Sequence, residues 1–154
     1  MPREIEVKYL VRDLPGDLGQ YRNEKIRQGY IVAESGENVV RIRQKGKKYF
    51  LTVKGEGNFS REETEISLSS SQFEALWPVT HGKRLEKTRY YIEYGGFVIE
   101  LDVFEGVLEG LIVAEVEFES EEDAKSFFPP VWFGREVTWD SRYQNSKLVL
   151  NGKP

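Results

Sequence analysis

The chain contains no cysteine. That excludes disulfides and thiolate metal sites, so a metal centre would need other ligands. There is a single histidine, His81, between Thr80 and Gly82 in a segment that reads as a loop. That placement argues against a serine–histidine–acid triad. No apolar run approaches the roughly 20 residues needed to cross a bilayer, and Met1-Pro2-Arg3-Glu4 lacks the apolar core of a signal peptide. Neither sign of charge dominates, with 22 basic against 26 acidic residues and a net charge of -4. General binding to nucleic acid usually shows a basic domain, so no nucleic-acid partner is expected. Net charge is silent on where charges cluster, so a local basic site remains open. The Lys54-Gly55-Glu56-Gly57-Asn58 stretch lacks the order of a P-loop and reads as a flexible connection. Repeats, low-complexity tracts and linker-like shifts in composition are also missing. One cytoplasmic domain over residues 1–154, without a membrane partner, is the expectation.

What the chain does have is alternation with period two, the mark of strands. Glu4, Glu6 and Lys8 alternate with Ile5, Val7 and Tyr9. Arg41 and Arg43 share a face opposite Val40 and Ile42, and Thr52 and Lys54 oppose Leu51 and Val53. Arg61, Glu63 and Glu65 fall on one side, as do Lys87 and Arg89. Glu100 and Asp102 oppose Ile99, Leu101 and Val103, and Glu115 and Glu117 oppose Ala114, Val116 and Phe118. Only Gly29 to Val32 reads as a strand in the mixed segment before residue 33. Gly46-Lys47-Lys48 and Gly95-Gly96 supply hairpin turns. Helices are expected over Ser71–Trp77, ending before Pro78, and from the N-cap Ser120 to before Pro129. A third is expected over Tyr143–Leu150. The sum is a mainly β, α+β fold with about eight strands, mostly antiparallel, and a few short helices.

For any one strand, the polar face could simply be a solvated exterior. Acidic and basic residues are, however, segregated by strand, and apolar faces recur opposite them. If the sheet closes into a barrel, one face must point inward. A charged lumen then fits as well as an apolar one. Residues i and i+2 on a strand lie roughly 6.6 Å apart and adjacent strands about 4.8 Å apart, so carboxylates from neighbouring strands can converge. Glu4, Glu6, Glu63, Glu65, Asp102, Glu115 and Glu117 would offer oxygen ligands to a hard divalent cation. Lys8, Arg41, Arg43, Lys54, Lys87 and Arg89 supply the opposite sign. Arginine binds phosphate as a fork and lysine as a point charge. A polyanion with metal ions would balance such a lumen, and the chemistry it suits is phosphoryl transfer.

Glu4-Ile5-Glu6-Val7-Lys8 resembles the ExExK signature of the CYTH superfamily, the triphosphate tunnel metalloenzymes. Arg41-x-Arg43, Lys54, Arg61-x-Glu63-x-Glu65, Lys87-x-Arg89, Asp102 and Glu115-x-Glu117 follow in that family's order. The resemblance spans essentially the whole chain, and segments such as Trp132-Phe133-Gly134 resemble the short bacterial members, mainly inorganic triphosphatases. It implies an eight-stranded antiparallel β-barrel or tunnel, often in a homodimer. A homodimer is expected also because three short helices are too few to cover the barrel's apolar outside. The resemblance implies that Lys8, Arg41, Arg43, Lys54, Lys87 and Arg89 grip phosphates. It implies Mg²⁺ or Mn²⁺ held by Glu4, Glu6, Glu63, Asp102, Glu115 and Glu117, with Glu65 as an alternative to Glu63. Lys8, Glu4 and Glu6 are the catalytic residues it implies. The expected reaction is hydrolysis of the terminal phosphoanhydride of tripolyphosphate. The alternatives are thiamine or nucleoside triphosphates as substrate, cyclisation of ATP, and a non-catalytic polyphosphate-binding protein. Arg142-Tyr143-x-Asn145 resembles a recurring family segment and reads as a structural or lid element. Trp77, Trp132 and Trp139 read as packing anchors.

Overall fold

A computed structural model describes residues 5–34, 38–55 and 63–154. Its strands are β1 (Ile5–Val11), β2 (Arg22–Val32), β3 (Val39–Lys45), β4 (Lys48–Lys54), β5 (Glu63–Leu68), β6 (Arg84–Tyr94), β7 (Phe97–Glu105), β8 (Ile112–Phe118) and β9 (Phe133–Glu136). Three short helices accompany them, α1 (Ser70–Leu76), α2 (Glu121–Ser126) and α3 (Asn145–Asn151). All the ladders are antiparallel, and the order is β5-β4-β3-β2-β6-β7-β8-β1-β9.

The mainly β architecture with a few short helices is the one expected, and the described residues form nine strands where eight were expected. The extra strand is β9, whose four residues pair with the outer edge of β1. Four residues are too few to establish an alternation. Among the described residues no ladder joins β5 to β1 or β9. The sheet curls nonetheless, because residues from both ends of its order line one cavity. Strand β2 is also far longer than its sequence suggests. Its first half is polar on both faces, with Glu24 on one side and Lys25 and Arg27 on the other, so it shows no apolar alternation.

Local chemistry sets the connections. Gly95 and Gly96 have φ of +56° and +84°, the left-handed pair that a two-residue hairpin turn between β6 and β7 demands. Ser69 caps α1, accepting from the Gln72 backbone while the Gln72 side chain accepts from the Ser69 backbone. Helix α1 ends at Leu76, and Pro78 sits in the single 3₁₀ turn that follows. Ser120 caps α2 as its sequence indicates.

The register separates two faces. Paired residues share a face, so Glu6 lies with Glu117, Lys8 with Glu115, and Glu115 with Glu100 on the inner side. The opposite side of β6, β7, β8 and β1 carries Ile92, Ile99, Leu101, Val116 and Phe118. Phe127 and Phe133 pack over it, with Ala124 of α2 and Trp132 at its margin. The apolar outside of these strands is therefore covered within the chain. A second apolar cluster occupies one end of the inner face, where Leu85, Phe104 and Val113 meet Val137, Tyr143 and Leu148 of the C-terminal segment and α3. The inner face is charged along its middle and apolar at this plugged end. Trp77 and Trp132 pack as anchors, whereas Trp139 is 93% exposed.

Gly29 of β2 is a close-packing point. A Cβ built there would lie 2.5 Å from Thr80 Oγ1, and Thr80 is fully buried with no room to withdraw. Gly29→Ala is expected to destabilise the fold by about 1–3 kcal/mol through overpacking, which denaturant unfolding would measure.

Candidate active site

The inner face encloses a cavity of about 580 Å³. Six cationic side chains line it, Lys8 from β1, Arg41, Arg43 and Lys45 from β3, Lys54 from β4 and Arg89 from β6. Six carboxylates join them, Glu6 from β1, Glu63 and Glu65 from β5, Glu100 from β7, and Glu115 and Glu117 from β8. Tyr30 and the first turn of α3, residues 144–146, complete the wall. Strand alternation delivers these groups at every second residue, and the curl turns them toward one another.

Two atoms of the basic wall lack a partner among the described residues. Among the described residues, Arg41 Nε and Arg43 Nε are buried without a hydrogen bond. An unmade hydrogen bond at a buried charged group costs at least about 1–3 kcal/mol, so the wall is arranged for an anion that would accept from it. Burial, then repulsion from Arg41 and Arg89, holds the Arg43 guanidinium below its ordinary pKa. Tyr30 stands beside them with its hydroxyl accepting from Gln28 Nε2 at 2.8 Å. Burial raises its pKa against the pull of Arg41.

The acidic wall shows the converse crowding. Glu6 faces Glu117 directly across the ladder, and Glu115 sits two pairs further along, opposite Lys8. Desolvation, then the Glu115 carboxylate, pushes the Glu6 pKa up to about 7, against the pull of Lys8. Lys8 Nζ lies 3.5 Å from Glu115 Oε1 and donates to the Tyr143 carbonyl at 3.3 Å. Lys8 thus sits among the carboxylates of β1 and β8. Oxygen-only donors under mutual repulsion suit a hard divalent cation. Among the described residues, no three of them already converge tightly enough to form a metal cage.

Lys87 and Asp102 do not line the cavity. They share the inner face but are buried, each 1% exposed, and pair across the ladders with Phe104 and Val113 of the plugged end. Lys87 Nζ lies 2.7 Å from Asp102 Oδ2, while Arg89 reaches Asp102 with Nε at 2.8 Å and Nη2 at 3.0 Å. Burial would raise the Asp102 pKa, but Lys87 and then Arg89 outweigh it and keep the carboxylate ionised. Arg89 Nη1 also lies 2.6 Å from Glu100 Oε2. Of the residues named from sequence, the structure thus brings Glu6, Lys8, Arg41, Arg43, Lys54, Glu63, Glu65, Arg89, Glu115 and Glu117 to one cavity. Glu4 and Arg61 lie outside the described residues.

Sequence reasoning missed Lys45 and Glu100 as members of the site and Gln28 as the buried donor to Tyr30, and left the direction of Tyr30 open. Glu100 had a signal, since it alternates with Asp102 and faces Glu115. Gln28 and Tyr30 had none, because β2 shows no usable alternation. Asn145 and Ser146 arrive through the docking of α3, which strand patterning cannot forecast.

The Glu6 titration fixes a pH dependence. A carboxyl group with a raised pKa stabilises the fold fully below its unfolded value of 4.5 and loses that contribution as pH rises through about 7. In chelator, Glu6→Gln is expected to raise the melting temperature at pH 8 and to leave it nearly unchanged at pH 4. Thermal melts at both pH values check this.

The family model described as the CYTH domain matches residues 2–146. An inorganic triphosphatase of Nitrosomonas europaea is 48% identical over 149 residues, covering 96% of this chain and 97% of that protein. One from Acetivibrio thermocellus is 39% identical, covering 98% and 96%. A crystal structure of an inorganic triphosphatase superposes with a TM-score of 0.80 at 46% identity, covering 97% of this chain and 96% of that one. The match over nearly the full length makes this chain a member of the CYTH domain family.

Proposed function

We propose that the chain hydrolyses the terminal phosphoanhydride bond of inorganic tripolyphosphate, releasing phosphate and diphosphate. The observation that carries this is the pair of buried arginine Nε groups without partners, Arg41 and Arg43, in a small cavity bounded by six cations. A chain of three phosphates offers these donors many acceptor oxygens, and arginine forks match phosphate geometry. The names of the two relatives with 48% and 39% identity point to the same substrate.

Mg²⁺ or Mn²⁺ would be held by Glu6, Glu115 and Glu117, with Glu4 and either Glu63 or Glu65 as further ligands. When bound, the cation supplies charge neutralisation and polarises oxygen. The remaining work belongs to side chains of this chain. Arg41, Arg43 and Lys54 grip the phosphate oxygens and orient the chain. Lys8 stands between the acidic wall and the C-terminal segment, where it stabilises charge on the transferred group. Arg89 neutralises charge on the leaving diphosphate. Water oxygen bonds to the terminal phosphorus, the bridging P–O bond breaks, and its electron pair leaves with diphosphate. The water's protons pass to products and solvent. The cavity-lining residues include no histidine, so positioning and electrostatics carry the rate.

A two-fold dimer belongs to the same proposal. Its support is Phe128 and Val131, exposed 78% and 98% on one loop.

Phosphate release from tripolyphosphate is expected with Mg²⁺ or Mn²⁺ and is lost in chelator. Release under neither metal rejects the enzyme. A panel including thiamine triphosphate and ATP ranks the substrates, and faster turnover of either would displace tripolyphosphate. Arg41→Ala is expected to lower kcat/KM by roughly ten- to a hundredfold, from the loss of a charge-assisted contact of about 1.5–3 kcal/mol. Light scattering at micromolar concentration is expected to give twice the chain mass, and a monomer mass would refute the dimer.

A further inference from the structure

Two groups of charges stand out on the inner face. Glu6, Glu115 and Glu117 lie together beside Lys8. Asp102 and Glu100 face Lys87 and Arg89.

Both oxygens of Asp102 are already paired with cations. Oδ1 accepts from Arg89 Nε at 2.8 Å. Oδ2 accepts from Arg89 Nη2 at 3.0 Å and faces Lys87 Nζ at 2.7 Å. Both oxygens are thus engaged by fixed cations, and the carboxylate is 1% exposed and absent from the cavity lining. Drawing either oxygen toward a metal would leave a buried ammonium or guanidinium without its counter-ion, a strongly unfavourable state. Arg89, by contrast, does reach the cavity. Its guanidinium has five N–H groups. Asp102 takes those of Nε and one of Nη2, and Glu100 takes one of Nη1. Two N–H groups remain, one on each terminal nitrogen.

We propose that Asp102 is a positioning residue, not a metal ligand, which aligns Arg89 for the phosphate chain through a bidentate pair anchored by Lys87. This rests on the triphosphatase reading for its substrate and departs from the metal role that family resemblance assigns to Asp102. A metal ligand must present free oxygens to the cavity, and Asp102 presents none. The bidentate pair removes rotation of the guanidinium, so its remaining donors meet phosphate in one orientation. That lowers the ordering cost of binding.

The test separates the two roles for Asp102. Asp102→Asn is compared with wild type for tripolyphosphate KM and kcat at saturating Mn²⁺, and for the Mn²⁺ concentration giving half-maximal rate. Tripolyphosphate affinity in chelator is measured alongside by calorimetry. The expected result is a KM raised about tenfold or more, a similar loss of calorimetric affinity, and a half-saturating Mn²⁺ concentration unchanged within about twofold. Combining Asp102→Asn with Arg89→Gln should cost little beyond Arg89→Gln alone, because the two act as one unit. An increased Mn²⁺ requirement with KM unchanged at saturating metal overturns the proposal, as do wild-type behaviour or full additivity. If melts show Asp102→Asn unfolded, Asp102→Glu keeps the charge and shifts the carboxylate, and the same readouts apply. An inactive wild type counts against the triphosphatase reading, while the calorimetric comparison still decides the role of Asp102.

Discussion

Charges of both signs face one another across a space of about 580 Å³, and that confrontation governs the rest of the molecule. The cations and carboxylates are equal in number around the wall, yet they are not mixed evenly. The arginines of β3 repel one another, and so do the glutamates of β1 and β8. Each cluster is unfavourable alone. Each is also what a phosphate chain or a divalent cation would relieve. The protein stores this arrangement by placing the charges on a rigid ladder, where neither wall can relax by side-chain rotation alone.

Apolar packing supplies that rigidity. The outer cluster of β6, β7, β8 and β1 is sealed by α2, β9 and the phenylalanines between them. The inner cluster at the plugged end ties α3 to the sheet through Leu148 and Tyr143. The Lys8 backbone N–H donates to Thr138 Oγ1 at 2.9 Å, and the Val137 N–H donates back to the Lys8 carbonyl at 2.8 Å. The C-terminal segment is thereby clasped to the strand that carries Glu6 and Lys8. Packing, clasp and site are continuous, so disturbing the C-terminal segment reaches the site's central ammonium.

The candidate site was legible wherever strands alternate cleanly. Arg41 with Arg43, and Glu115 with Glu117, were visible because an apolar residue separates each pair. Glu6 with Lys8 was visible for the same reason. The reading failed where alternation failed. Strand β2 carries charge on both faces, which hid Gln28 and left Tyr30 undirected. It also failed where two positions share a face but not an exposure. Glu100 and Asp102 are equivalent in the pattern, yet one lines the cavity and the other is buried away from it.

The sequence by itself determined the antiparallel β class, the two-sided strands and the segregation of acids from bases. Those follow from the two-residue period of the strand, a local property. Only the tertiary structure decided which of the charged residues meet the cavity and which are buried away from it. It also decided that the C-terminal helix plugs one end. Burial within a curled sheet depends on the register and twist of all its strands together, and no local periodicity encodes that sum.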